Sequence, residues 1–190
     1  MRDQKEDFGL IQRCLKNDPQ AFEKLIDRYK NPIFSLIYRL ARNSSDAEDL
    51  AQETFLKVFK NLSSYDTNRP FSAWLFRICH NTVIDHLRAR KPHLLFTQTE
   101  DELEKMADQG PLPEQIAEFS AQAELIENAL ALVPPSYREV LILRHQEGMN
   151  YKEMAEILQI PEGTVKIRLF RGRSILKRNL ETLGLGGAKQ

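Results

Sequence analysis

The sequence predicts an all-α protein: two small helical domains joined by a flexible acidic linker, the second carrying a helix-turn-helix. Three observations predict it. Apolar residues recur at helical spacing through nearly every segment, while alternating β-branched runs and Asn-Gly hairpin signals are absent. Composition breaks at residues 93–113, HLLFTQTEDELEKMADQGPLP, a stretch that is acidic, lacks a sustained apolar stripe and ends with Gly110, Pro111 and Pro113. The segment Asn150 to Arg178, NYKEMAEILQIPEGTVKIRLFRGRSILKR, reads as two short helices about a tight turn, the second strongly basic on one side.

The first domain is expected over residues 1–92. Phe8, Ile11, Cys14 and Leu15 suggest a short first helix. Asp18 caps a second, with Pro19 at its first position, where a missing N–H costs nothing. Its stripe is Phe22, Leu25, Ile26, Tyr29, Ile33, Leu36, Ile37 and Leu40, and Pro32 is expected to bend or interrupt it. Ser45 and Glu48 form a capping box for a third helix, which carries Leu50, Phe55, Val58, Phe59 and Leu62. A polar loop, Ser63 to Pro70, precedes a fourth helix from Phe71 to about Arg90, which stops before Pro92.

After the linker at 93–113, a second domain is expected over 114–183, with residues 184–190 as a frayed tail. Ile116, Phe119, Ala123, Ile126 and Leu130 line its first helix, which Pro134 and Pro135 stop. Ser136 and Glu139 predict a capping box for the helix SYREVLILRHQE, and Gly148 a stop after it. Asn150 and Glu153 cap the next helix, whose apolar face is Met154, Ala155, Ile157 and Leu158. In the last helix Val165, Leu169, Gly172 and Leu176 share one face. Lys166, Arg171, Lys177 and Arg178 lie away from that face, with Arg168 and Arg173 on its flanks. Gly163 to Leu180 holds six Lys or Arg and no acid. One buried stripe and an uncompensated basic face suit the major groove of DNA better than a solvated surface helix, which mixes both signs.

The formal net charge is zero, but its distribution is uneven. Residues 1–92 carry 16 basic and 12 acidic groups, residues 93–115 one and six, and residues 116–190 ten and nine. An acidic segment therefore hides basic character on both sides of it. Cys14 and Cys79 are isolated, so neither a disulfide framework nor a zinc site is expected, and a reducing cytoplasm fits. The N-terminus leads into no apolar signal-peptide region, and no stretch approaches a membrane span. No cofactor is expected.

Three stretches in order are similar to the extracytoplasmic-function (ECF) group of bacterial RNA polymerase sigma factors. They are DAEDLAQETFLKVF, Asp46 to Phe59; FSAWLFRICHNTVIDHLRARK, Phe71 to Lys91; and PPSYREVLILRHQEGMNYKEMAEILQIPEGTVKIRLFRGRSILK, Pro134 to Lys177. The resemblance spans nearly the whole chain; one departure is Gly172, where the family often has Ala.

The resemblance implies a region-2-like first domain and a region-4-like second domain. Periodicity alone makes Asp49, Gln52 and Glu53 a solvated face; the resemblance implies that they bind a basic coiled coil of the core polymerase clamp. It assigns the helix from Phe71 to −10 recognition and melting. There Arg77, Asn81, Ile84 and Arg88 form a stripe suited to tracking a single strand, and Trp74 sits at the edge of the buried face. The loop, with Tyr65, Asp66, Asn68 and Arg69, is implied to hold a flipped base. In the last helix, Lys166 and Arg171 match base-reading or phosphate positions, Arg168 and Arg173 are backbone contacts or partly structural, and Thr164, near the helix start, can bond a phosphate alongside exposed helix N–H groups. Cys79, His80 and His86 do not converge on one ion, because adjacent helix positions point about 100° apart. The implied partners are core RNA polymerase, promoter DNA (duplex at −35, single-stranded at −10) and an anti-sigma factor, which could hold the chain at the membrane without insertion. The alternative is a one-component helix-turn-helix regulator acting as a dimer on a palindrome. An enzyme would need converging catalytic groups, and the sequence offers no such set.

Overall fold

In a computed structural model, residues 4–90 and 121–184 are described; they form eight α-helices and, among the described residues, no strand. The first domain contains α1 (Gln4–Cys14), α2 (Pro19–Ala41), α3 (Ser44–Asn61), a single 3₁₀ turn (Leu62–Ser64) and α4 (Phe71–Arg90). The second contains α5 (Ala121–Ala131), α6 (Pro135–His145), α7 (Tyr151–Leu158) and α8 (Glu162–Thr182). The expected linker at 93–113, the start of the second domain at Glu114 and residues 185–190 of the expected tail lie outside the described residues.

Helix α2 is the spine of the first domain. Asp18 caps it, its carboxylate accepting from the Gln20 and Ala21 amides at 3.0 and 3.2 Å. Leu25, Tyr29, Ile33, Leu36, Ile37 and Leu40 are buried along it. At about 1.5–3 kcal/mol for each large apolar side chain removed from water, this stripe outweighs the hydrogen bond lost at Pro32. That is why α2 runs unbroken through Pro32, where a bend or an interruption was expected. Helix α1 is tied across α2 by a buried carboxylate: Tyr29 Oη donates to Asp7 at 2.6 Å, and Arg28 Nε lies 3.0 Å from the other Asp7 oxygen.

Two first-domain expectations are corrected. The cap of α3 is Asn43, whose side chain accepts from the Asp46 amide at 3.0 Å, so the helix starts before the expected Ser45 box. The buried stripe of α3 is Ala47, Leu50, Thr54 and Val58. Phe59 falls off that stripe and is 62% exposed, held edge-on to Phe22 with ring centres 5.0 Å apart.

In the second domain the Asn150–Glu153 capping box forms as expected, with reciprocal bonds of 2.9 and 2.8 Å. Gln159 then takes a left-handed conformation (φ 55°) and turns the chain into α8. Helix α8 buries Val165, Leu169, Gly172 and Ile175, while Leu176 is only partly buried. A Cβ on Gly172 would stand 3.2 Å from the Tyr137 carbonyl oxygen and 3.3 Å from Leu141, so glycine permits the close approach of α8 to α6. The expected box at Ser136 and Glu139 is absent: α6 begins at Pro135 without a side-chain cap, and Glu139 faces the first domain instead.

The two domains touch. Helix α7 lies against α4, and α6 against α2. Arg39 of α2 grips Glu127 of α5 through three bonds of 2.6, 2.9 and 3.2 Å. Arg138, 1% exposed, donates to the Val133 and Ala131 carbonyls and, across the boundary, to the Arg39 carbonyl at 2.5 Å.

Candidate nucleic-acid and partner-docking surfaces

The outer face of α3 carries Asp49, Gln52 and Glu53, all exposed. They are not equivalent. Glu53 pairs with Lys57 at 2.7 Å, and Lys57 in turn donates to Thr82 of α4 at 3.0 Å, so part of the Glu53 charge is already matched. The same face continues into Leu56 and Phe59, 59% and 62% exposed. With Phe22, Ile26, Phe34 and Phe55 they border an open groove of about 640 Å³ between α2 and α3, and Gln52 and Glu48 stand on its rim. The sequence reading missed Leu56 and placed Phe59 in the core. The available signal was their spacing, three and six residues beyond Glu53 on a helix whose buried stripe ends at Val58.

The loop after α3 builds a pocket. Tyr65 packs against both Phe71 and Trp74 (ring centres 5.4 and 5.3 Å away), which also touch each other, and its hydroxyl donates to the Arg69 carbonyl. Asp66 Oδ1 accepts from the Asn68 amide at 3.0 Å and from its side chain at 2.9 Å; these bonds hold the Asp66 carboxyl below the usual range and fix the turn. The resulting cavity, about 280 Å³, is lined by Tyr65, Thr67, Asn68, Arg69 and Phe71 together with Gln4, Lys5 and Phe8 of α1. An aromatic floor with amide and cationic walls can stack a base and hold its phosphate. The α1 wall was invisible to a reading of the loop alone. Trp74 is half-buried in the aromatic cluster rather than projecting freely.

Along α4, Arg77, Asn81 and Arg88 are exposed and Ile84 is half-buried, so the expected stripe faces outward. Cys79, His80 and His86 diverge. Burial, reinforced by the Glu139 charge, pushes the Cys79 thiol far above its ordinary range. His80 Nδ1 meets Glu139 at 2.7 Å, and His86 Nε2 lies 3.6 Å from Asp46.

On α8, Lys166 and Arg173 are exposed, while Thr164, Arg168 and Arg171 are half-buried. Lys166 Nζ stands 5.6 Å from the centre of the Tyr151 ring, and Arg144 stands 5.3 Å from the same ring, joining α6, α7 and α8 through one aromatic. Arg173 approaches His145 at 3.4 Å, and burial, with Arg173 and Arg144 nearby, pushes the His145 pKa down. Ile167 and Phe170 are 45% and 73% exposed in the middle of this basic face. The sequence reading, attentive to charge, passed over both. Apolar tips among cations fit a groove that displays thymine methyl groups beside phosphates.

The geometry defines a two-module helical protein with a helix-turn-helix in its second module. The family model for Sigma-70 region 2 matches residues 25–93, and that for Sigma-70, region 4 matches residues 123–176. The chain is 36% identical to the ECF RNA polymerase sigma factor SigW of Bacillus subtilis (strain 168) over 179 residues, covering 91% of this chain and 96% of the relative. It is 31% identical to the RNA polymerase sigma-H factor of Pseudomonas aeruginosa, covering 96% and 98%. The chain belongs to the ECF group of RNA polymerase sigma factors. Its fold is also that of CnrH, solved in complex with the cytosolic domain of CnrY (TM-score 0.67, 25% identity, 93% of this chain and 98% of that one). The sigma factor RpoE of Bartonella quintana, solved with the anti-sigma factor NepR, shares the fold at a TM-score of 0.69, with 23% identity and coverage of 85% and 98%.

Proposed function

We propose that this sigma factor carries its promoter-directing activity on three surfaces, and acts as a specificity subunit without chemistry of its own. Core polymerase docks on α3, through Asp49, Gln52 and Glu53 and onto the apolar shelf of Leu56 and Phe59. The −10 single strand runs along Arg77, Asn81 and Arg88, with one base flipped into the pocket beside Tyr65, Asn68 and Arg69, and Trp74 bracing its aromatic floor. The −35 duplex is read by α8: Phe170, Ile167 and Arg171 at base edges, and Thr164, Lys166, Arg168 and Arg173 on the backbone.

The observation that carries this reading is the coexistence in one chain of an aromatic-floored pocket beside a strand-tracking helix and a basic recognition helix. A duplex-binding regulator that never opens DNA has no use for the first. No described helix is long and apolar enough to cross a membrane. Because CnrH and RpoE were each solved in complex with a binding partner, RpoE with an anti-sigma factor, an anti-sigma partner is proposed here too.

The docking assignment is tested by replacing Asp49 and Glu53 with Lys. Reversed charge on an exposed face slows encounter and weakens the complex while leaving the helices folded. Co-elution with core polymerase should be lost or much reduced at unchanged helical circular dichroism. Wild-type affinity in the folded double variant would contradict the assignment.

A further inference from the structure

Helix α1 carries an exposed aromatic that the three surfaces above leave without a task. Asp7 and Ile11, one turn apart, define its buried face. Asp7 fixes that face against α2: its carboxylate accepts from Tyr29 Oη at 2.6 Å and pairs with Arg28, which also pairs with Glu6. Phe8, the next residue, turns about 100° away from Asp7 and remains 48% exposed. Among the described residues no other ring packs against it. Gln4 and Lys5 lie one turn back from Phe8, so the three side chains form one strip. That strip lines the cavity of about 280 Å³ shared with Tyr65, Asn68 and Arg69.

We propose that Phe8 is the second stacking surface of this pocket: the flipped base lies between the Phe8 and Tyr65 rings, and α1 is part of the −10 site. This rests on the reading of the cavity as the flipped-base pocket. The floor alone offers a base little aromatic surface. Phe71 is 2% exposed, and Tyr65 is half-buried against Phe71 and Trp74. Phe8 is the most exposed ring in the lining. The cavity is smaller than the roughly 300–1,000 Å³ of sites for drug-sized ligands, and suits one planar base. Lys5 and Arg69 bring cations to the same walls, where they serve the phosphates flanking the base. The Asp7 anchor contributes because a wall held in place before binding loses little of its contact energy to ordering.

Extrusion strips a base of the stacking on its neighbours in the strand. One aromatic wall returns stacking to one face of the base; a second returns it to the other and keeps water out. Stacking tolerates any base, because every base has a π-face. Phe8 therefore strengthens capture, and the choice of base is left to polar groups at its edge, of which Gln4 and Asn68 line the same cavity.

The test uses holoenzyme assembled from core polymerase and the full chain. The probe is fork DNA from a promoter that this holoenzyme transcribes in run-off, with the −10 non-template strand left single. A set of such forks lacks one base at a time along that strand. On the complete strand, Phe8→Ala should lose about fivefold or more in affinity, the lower end of what one base–aromatic stack contributes. Phe8→Tyr, which keeps the ring, should retain most of the wild-type affinity. At one position, and one only, removal of the base should make Phe8→Ala and wild type bind alike, because the base that Phe8 stacks on is gone. Wild-type affinity of Phe8→Ala on the complete strand, or an equal loss on every fork, overturns the proposal. So does weaker assembly of Phe8→Ala with core polymerase, which would make Phe8 a docking residue. Asn68→Ala, at the loop side of the pocket, separates the two layers. If its loss also depends on no single base, the pocket reading falls and Phe8 with it. If its loss depends on one base while that of Phe8→Ala does not, only the α1 wall falls.

Discussion

Phe170 is the residue on which charge-based and structure-based readings of the recognition helix part. It is 73% exposed among cations, where a buried stripe has no claim on it and water offers no benefit. Replacing Phe170 by Ala should weaken binding to −35 duplex by about 1 kcal/mol, roughly fivefold, the scale of losing one or two buried methylene-sized contacts. The loss should fall on promoters that place a thymine methyl at the contacted step. Lys166→Ala should behave differently, weakening all duplexes about equally and lowering the salt slope by about one unit. Anisotropy titrations of matched and mismatched −35 duplexes at two salt concentrations separate them; equal losses on both duplexes for Phe170→Ala would mark it as a non-reader. The cations were legible because an uncompensated run of Lys and Arg needs no partner to be noticed. Phe170 and Phe59 were not, because an aromatic in a helical repeat resembles a core residue until the neighbouring helix is placed.

At the scale of elements, local chemistry was readable where it is self-contained. The Asp18 cap and the Asn150–Glu153 box need only residues within one turn, and both formed as expected. Ser136 and Glu139 have the same spacing, yet Glu139 is taken by His80, 59 positions away in sequence, which no local pattern reports. Pro32 does not interrupt α2 for the converse reason: its cost is local, while the burial that outweighs it comes from the rest of the domain. Gly172 shows what the sequence hinted at and the structure explains. Its substitution by Ala would gain helix propensity of about 1 kcal/mol but press a methyl group against the Tyr137 carbonyl at 3.2 Å. Val adds two further methyl groups in that gap. Gly172→Val should therefore destabilise the second domain by about 1–3 kcal/mol, seen as a lower denaturant midpoint at unchanged slope. A midpoint equal to wild type would show that α8 does not need the close approach.

For the whole molecule, the order of modules was legible from composition and three motif stretches, whereas the contact between modules was not. Helical period identifies which face of α4 is exposed but not that α7 lies across part of it. The central claim is a division of labour: α4 and its pocket open and hold the −10 strand, and α8 reads −35 duplex. The most direct measurement is run-off transcription by core polymerase with the Arg77→Ala and Arg171→Ala factors, on an intact promoter and on one premelted across the −10 element. On the intact template both variants should fall below wild type, Arg171→Ala by about 1–3 kcal/mol in promoter affinity if it contacts a base edge in bidentate fashion. Premelting should restore much of the Arg77→Ala activity, leaving only the loss of base-specific capture, and should leave the Arg171→Ala defect in place. Rescue of Arg171→Ala by the bubble, with none for Arg77→Ala, would contradict the account and exchange the roles of the two domains.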